Sequence, residues 1–109
     1  MDYRKITNDR QFRDTTSYSR SNFLKLLEDY ENTYLEIYGQ SYENYILKSV
    51  METPKLKTLG ETLFFVLFQM KNDLVFGSLG AVFGMCAASA LKNFKSFSLL
   101  LEQTLEKKM

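Results

Sequence analysis

The sequence predicts an all-α fold, and three observations carry that prediction. Apolar residues recur at spacings of three and four over most of the chain, the period of one helix face. Glycines fall where such runs must end, at Gly39 and Gly84. No segment alternates apolar and polar residues as a half-buried strand would. The expectation is a small helical domain of four to five helices containing a helix-turn-helix. The 109 residues suffice for one core without metals or disulfides. The 45% hydrophobic and 25% charged composition is that of an ordinary globular protein.

Residues 1–20 are polar, and Arg4, Lys5, Arg10, Arg13 and Arg20 outnumber Asp2, Asp9 and Asp14. The stretch reads either as a basic arm for DNA phosphates or a minor groove, or as a poorly ordered lead-in loosely anchored by Ile6, Phe12 and Tyr18. Residues 21–109 are expected to form the helical domain. Ser19 or Ser21 can cap the first of its helices, in which Phe23, Leu27, Tyr30, Tyr34 and Tyr38 make one apolar-aromatic stripe ending near Gly39. That stripe suits a core; a base-stacking platform is the alternative. The outer face, with Glu28, Asp29, Glu31 and Glu36, would repel phosphate.

SYENYILKSV fits a short helix with Tyr45, Ile46 and Val50 inward, and Pro54 disfavours helix at Thr53. TPKLKTLG then reads as a connector in which Thr58 can cap the next helix. Leu59 to Lys71 makes a helix apolar on nearly all sides, hence the central buried element.

The stretch from about 75 to 97 reads as two helices joined by a tight turn. Leu79, Val82 and Phe83 share one face of the first, and Gly80 offers a flat spot for another helix. Gly84 stops it in the left-handed conformation. The second helix has an expected apolar face of Ala87, Ala90, Leu91, Phe94, Phe97 and Leu101. Ala88, Ser89, Lys92, Lys95 and Ser96 lie opposite. This is the pattern of a helix-turn-helix that enters a DNA major groove. Beyond Phe97 the helix is expected to continue, with Leu99, Leu100 and Leu105 packing on the tyrosine helix or awaiting a partner chain. Lys107 and Lys108 either close it favourably for its dipole or mark adenine-rich codons at which ribosomes change frame.

Composition excludes much chemistry. Without histidine there is no histidine base, Ser-His triad or histidine-bearing zinc site. The single cysteine, Cys86, excludes four-cysteine sites and an internal disulfide, and suits a reducing cytoplasm. Gly77, Gly80 and Gly84 lack the Gly-Lys-Ser/Thr of a phosphate loop. No apolar leader resembling a signal peptide opens the chain. The expectation is therefore a cytoplasmic non-enzyme with no cofactor, no metal and no small-molecule substrate. A net charge of +1 does not by itself mark a nucleic-acid binder. Leu74 to Leu91 is uncharged and long enough for a membrane span, with Gly80 and Gly84 in GxxxG register, but poor in large aliphatics.

The segment ETPKLKTLGETLFFVLFQMKNDLVFGSLGAVFGMCAASALKNF resembles the N-terminal region of DDE-type insertion-sequence transposases, ahead of their catalytic domain. SNFLKLLEDYENTYLEIYG resembles the helix that precedes it there, and FGM after SLGAV is the most specific piece. The chain departs from the family at Ala87 and Ala88, where those proteins carry hydroxyl or amide side chains, and the acidic triad domain is absent. The resemblance implies a DNA-binding, non-catalytic part of a transposition system: a first reading frame, a remnant, or a regulator at element ends. Ser89, Lys92, Asn93, Lys95 and Ser96 would face double-stranded DNA, with arm contacts from Arg4, Lys5, Arg10 and Arg13. The implied partners are a second copy or a separately encoded catalytic domain, with no membrane. The rival readings are a helical protein-interaction module that has lost DNA binding, and a small membrane protein.

Overall fold

A computed structural model describes residues 3–42 and 56–107. The described residues are all-helical, without strands. After a 3-10 turn at Tyr3–Lys5 come α1 (Asp9–Thr16), α2 (Arg20–Tyr38), α3 (Leu59–Asn72), α4 (Phe76–Phe83) and α5 (Ala87–Lys107). No helix among them is long and apolar enough to cross a membrane.

The polar lead-in carries more structure than its composition announces. Asn8 caps α1, its Oδ1 accepting from the Arg10 and Gln11 N–H groups at 2.9 and 3.4 Å. Phe12 is the main anchor, fully buried with its ring 5.1 Å from Phe23 and 6.0 Å from Phe64, and Tyr3, Ile6 and Tyr18 pack half-buried against the same core. Of α1, Phe12 and Thr16 thus belong to the core.

Ser19 caps α2, accepting from Asn22 N–H at 3.1 Å, and Gly39 ends it at φ +71°. Phe23, Leu26, Tyr30, Thr33 and Tyr34 are buried. The expected stripe holds to Leu27, half-buried against the core, and is corrected at Tyr38, which is 57% exposed. Each spacing of four advances about 40° beyond a full turn, so Tyr34 to Tyr38 carries the ring off the core face, and Leu26 and Thr33 occupy the other side.

α3 is the centre, as its all-round apolarity requires. Everything from Thr62 to Gln69 is buried. Thr58 Oγ1 accepts from Glu61 N–H at 3.1 Å, and the Glu61 carboxylate accepts from Lys57 N–H at 3.0 Å, a reciprocal cap. Buried hydroxyls are satisfied locally. Thr16, Thr33 and Thr104 each donate to the carbonyl four residues back, at 2.8 to 2.9 Å. Thr62 donates to Leu59 O at 2.9 Å, which leaves its oxygen to accept from Tyr30 OH at 3.1 Å. No buried side-chain nitrogen or oxygen among the described residues lacks a partner.

α1 and α2 lie against α3, and α5 packs on α2, α3 and α4. Tyr42 OH donates to Leu56 O at 2.7 Å, joining the end of the first described segment to the start of the second. The expected helix with Tyr45, Ile46 and Val50, and the break at Thr53 and Pro54, lie outside the described residues.

Candidate nucleic-acid interface

The hairpin of α4 and α5 is set on the core by three devices. The first is Gln69. Its side-chain amide donates to Leu74 O at 2.7 Å and accepts from Leu74 N–H at 3.1 Å, so one buried side chain fixes the link between α3 and α4. The second is Phe83. Its ring meets Phe65 at 4.9 Å, Phe68 at 5.4 Å and Phe64 at 6.2 Å, three phenylalanines of α3. The third is the turn itself. Gly84 ends α4 at φ +76°, and Met85 N–H bonds back to Gly80 O at 2.8 Å, the wide bond of a Schellman motif.

Gly80 has a different task from the one its spacing suggests. The backbone that approaches it is the turn's own: a methyl at Gly80 would collide with the Met85 carbonyl oxygen. Its role is to let the chain fold back on itself, rather than to receive another helix.

α5 then runs out along the surface. Ala90, Leu100, Leu101 and Thr104 are buried, and Phe94 and Phe97 are half-buried. Two members of the expected apolar face are corrected: Ala87 is exposed, and Leu91 is 36% exposed. Both stand at the edge of that face, and Ala87 precedes the point where α5 first meets the core at Ala90. Ala88, Ser89, Lys92, Lys95 and Ser96 are all exposed. Leu99 is 54% exposed and Leu105 also faces outward, while Leu100 is in the core.

The side chains differ in how free they are. Neither Lys92 nor Lys95 joins a salt bridge among the described residues. Ser89 Oγ lies 3.3 Å from Cys86 Sγ. The Ser89 hydroxyl, then its backbone N–H, hold the exposed Cys86 thiol below its ordinary range. Asn93 is half-buried, and its amide turns to Met85 Sδ at 3.5 Å, back toward the turn. Of the expected arm, Arg4 lies 3.8 Å from Glu61 and Arg13 lies 3.2 Å from Asp9, whereas Lys5 and Arg10 are exposed. Arg20 donates to Ile6 O and lies over the Phe12 ring.

Charge is segregated along the chain. From Leu74 to Leu101 there is no carboxylate, and the only charged residues are Lys92 and Lys95. The acids gather elsewhere, on α2 at Glu28, Asp29, Glu31 and Glu36 and late in α5 at Glu102 and Glu106, with Lys107 paired to Glu36. An open groove of about 650 Å³ borders the hairpin, lined by Gln69, Met70, Asp73, Leu74, Val75, Phe76 and Phe94. Among the described residues no group of histidine, cysteine or acidic side chains is placed to hold a metal ion.

No protein-family model, curated protein or solved structure matches the chain.

Phe83 was legible as part of the apolar face of α4, whereas Gln69 is the positioning residue that sequence reasoning passed over. Gln69 was hidden at the end of an apolar run, although a lone amide there is itself a signal, because a buried amide needs backbone partners.

Proposed function

We propose that this chain binds double-stranded DNA without catalysing a reaction on it, with α4 and α5 acting as a helix-turn-helix and α5 entering the major groove. The observation that carries this reading is the carboxylate-free stretch from Leu74 to Leu101, whose outward helix presents two lysines without a salt bridge among the described residues. Phosphate contact needs cations without nearby anions, and base contact needs a rigidly aimed helix. Gln69, Phe83 and the Gly84 turn supply the aim. The resemblance of the segment through FGM to the N-terminal regions of DDE-type insertion-sequence transposases supports a place in a transposition system. On that reading the chain recognises element ends and works with a second copy or a separately encoded catalytic domain.

Lys92 and Lys95 act as phosphate contacts, and Ser89 and Ser96 flank them. Asn93 is the weakest base reader of the set, because its amide is directed to Met85. The arm contributes chiefly through Lys5 and Arg10, since Arg4 and Arg13 already have acidic neighbours. Fluorescence anisotropy of a labelled duplex at rising salt tests the proposal. The expected logarithmic slope is about −2 for two neutralised phosphates, steeper if the arm engages. No binding at low salt, or binding indifferent to salt, would overturn it.

A second reading is favoured by the exposed leucines. Leu24 and Leu35 on α2 and Leu99 on α5 face outward, as a protein-interaction module would require. In that case duplex DNA leaves the anisotropy unchanged.

A further inference from the structure

Resting on the DNA-binding reading, we infer that α5 takes its sequence preference from methyl groups in the major groove, and so selects thymine-rich duplexes. At about 100° per residue, Leu91, Lys95, Ala88, Leu99 and Lys92 fall in one outward arc. That arc lies opposite the buried Ala90 and Leu101, and all five residues are exposed. As far as Leu99 the centre of the arc holds alkyl groups and ammonium groups only; Glu102 and Glu106 enter it in the last turns of α5. The side chains able to read a base edge by hydrogen bonding are at its margin or turned away. Ser89 lies against the Cys86 sulfur, Asn93 is directed to Met85, and Ser96 is at the rim.

A helix with this face has a narrow choice of base contacts. Helices of this kind meet bases through their first turns, which here offer Ala87, Ala88, Leu91 and Lys92. Lysine contributes point charge, chiefly to phosphates. An alkyl side chain distinguishes one base-pair feature in the major groove, the methyl at C5 of thymine. The methyl of 5-methylcytosine stands in the same place and should be accepted too. The exposed Ala87 and Leu91 enlarge this alkyl surface beyond Ala88 alone.

The test compares a duplex of alternating adenine and thymine with the same duplex carrying deoxyuridine for every thymidine, at one low salt concentration. Removing a methyl that packs on the helix should weaken binding about four-fold per contact, the equivalent of one buried methylene. A guanine–cytosine duplex should bind more tightly once its cytosines are 5-methylated. The double variant Ala88→Gln, Leu91→Gln changes two exposed sites, so it should keep its helical circular dichroism and its thermal midpoint. It should bind the thymine and uracil duplexes alike. Equal binding of both duplexes by the unaltered protein overturns methyl reading and leaves DNA binding standing. Discrimination that survives in the double variant also overturns it. Binding to none of the duplexes removes the DNA reading, and this inference with it.

Discussion

Tyr30 places a phenol in the core between α2 and α3, where its hydroxyl donates to Thr62. Burial raises its pKa above the usual phenol range. The neutral form is therefore the folded form. Its contribution is intact below the unfolded pKa of about 10 and is lost as pH rises beyond that value. Tyr30→Phe should cost about 1 kcal/mol at neutral pH through the lost bond. Above about pH 10 the gap should close and then reverse, since the wild type alone carries this titration. Urea unfolding of both proteins from neutral to alkaline pH checks the crossing. Gly80 provides a second test at this scale. In an ordinary helix Gly→Ala gains about 1 kcal/mol, but here the methyl meets the Met85 carbonyl. Gly80→Ala should therefore destabilise by more than about 1 kcal/mol, read as a lower thermal midpoint. The need for glycine at 80 was visible in the sequence, but its cause was not. A one-dimensional pattern shows that a small residue is required without showing which backbone comes near.

The helices themselves were legible because several signals agreed. Gly39 and Gly84 stand at left-handed ends, Thr58 caps α3, and the apolar surround of α3 fits its central place. α1 was not legible, because eight residues with a single buried aromatic give no periodicity to read. On α5 the pattern gave the core side at Ala90 and Leu101 but misplaced Ala87 and Leu91. Which edge of an amphipathic face is covered depends on where the neighbouring helices end, and periodicity does not encode that. The link from α3 to α4 was likewise hidden, since Gln69 acts on the backbone of a residue in the following loop. Gln69→Ala should free both the N–H and the carbonyl of Leu74, costing about 2 kcal/mol. It should also loosen the hairpin against α3. Hydrogen exchange should then quicken over Leu74 to Phe83 while the amides of Leu63 to Val66 stay protected. Uniform acceleration over both segments would show that Gln69 supports the whole core and does not act as a clamp.

At the scale of the molecule, the near-neutral total charge conceals a division. From Leu74 to Leu101 the hairpin has lysines and no carboxylates, whereas the outer face of α2 is acidic. A duplex would be attracted to the first surface and repelled by the second, which orients the encounter as well as strengthening it. The candidate site was legible in the sequence to the extent that helix phase places Lys92 and Lys95 outward. The engagement of Asn93 and Ser89 with the turn was not, because it depends on where Met85 and Cys86 fold back. The most direct measurement of the central claim is duplex-DNA affinity against salt for three proteins: the wild type, Lys92→Ala with Lys95→Ala, and Lys25→Ala with Lys57→Ala. The last pair removes the same charge from exposed positions away from the hairpin. The hairpin variant should lose affinity for all sequences and its salt slope should flatten by about 2, while the control pair tracks the wild type. A hairpin variant that binds duplex DNA as tightly as the wild type, with an unchanged slope, would contradict the central claim.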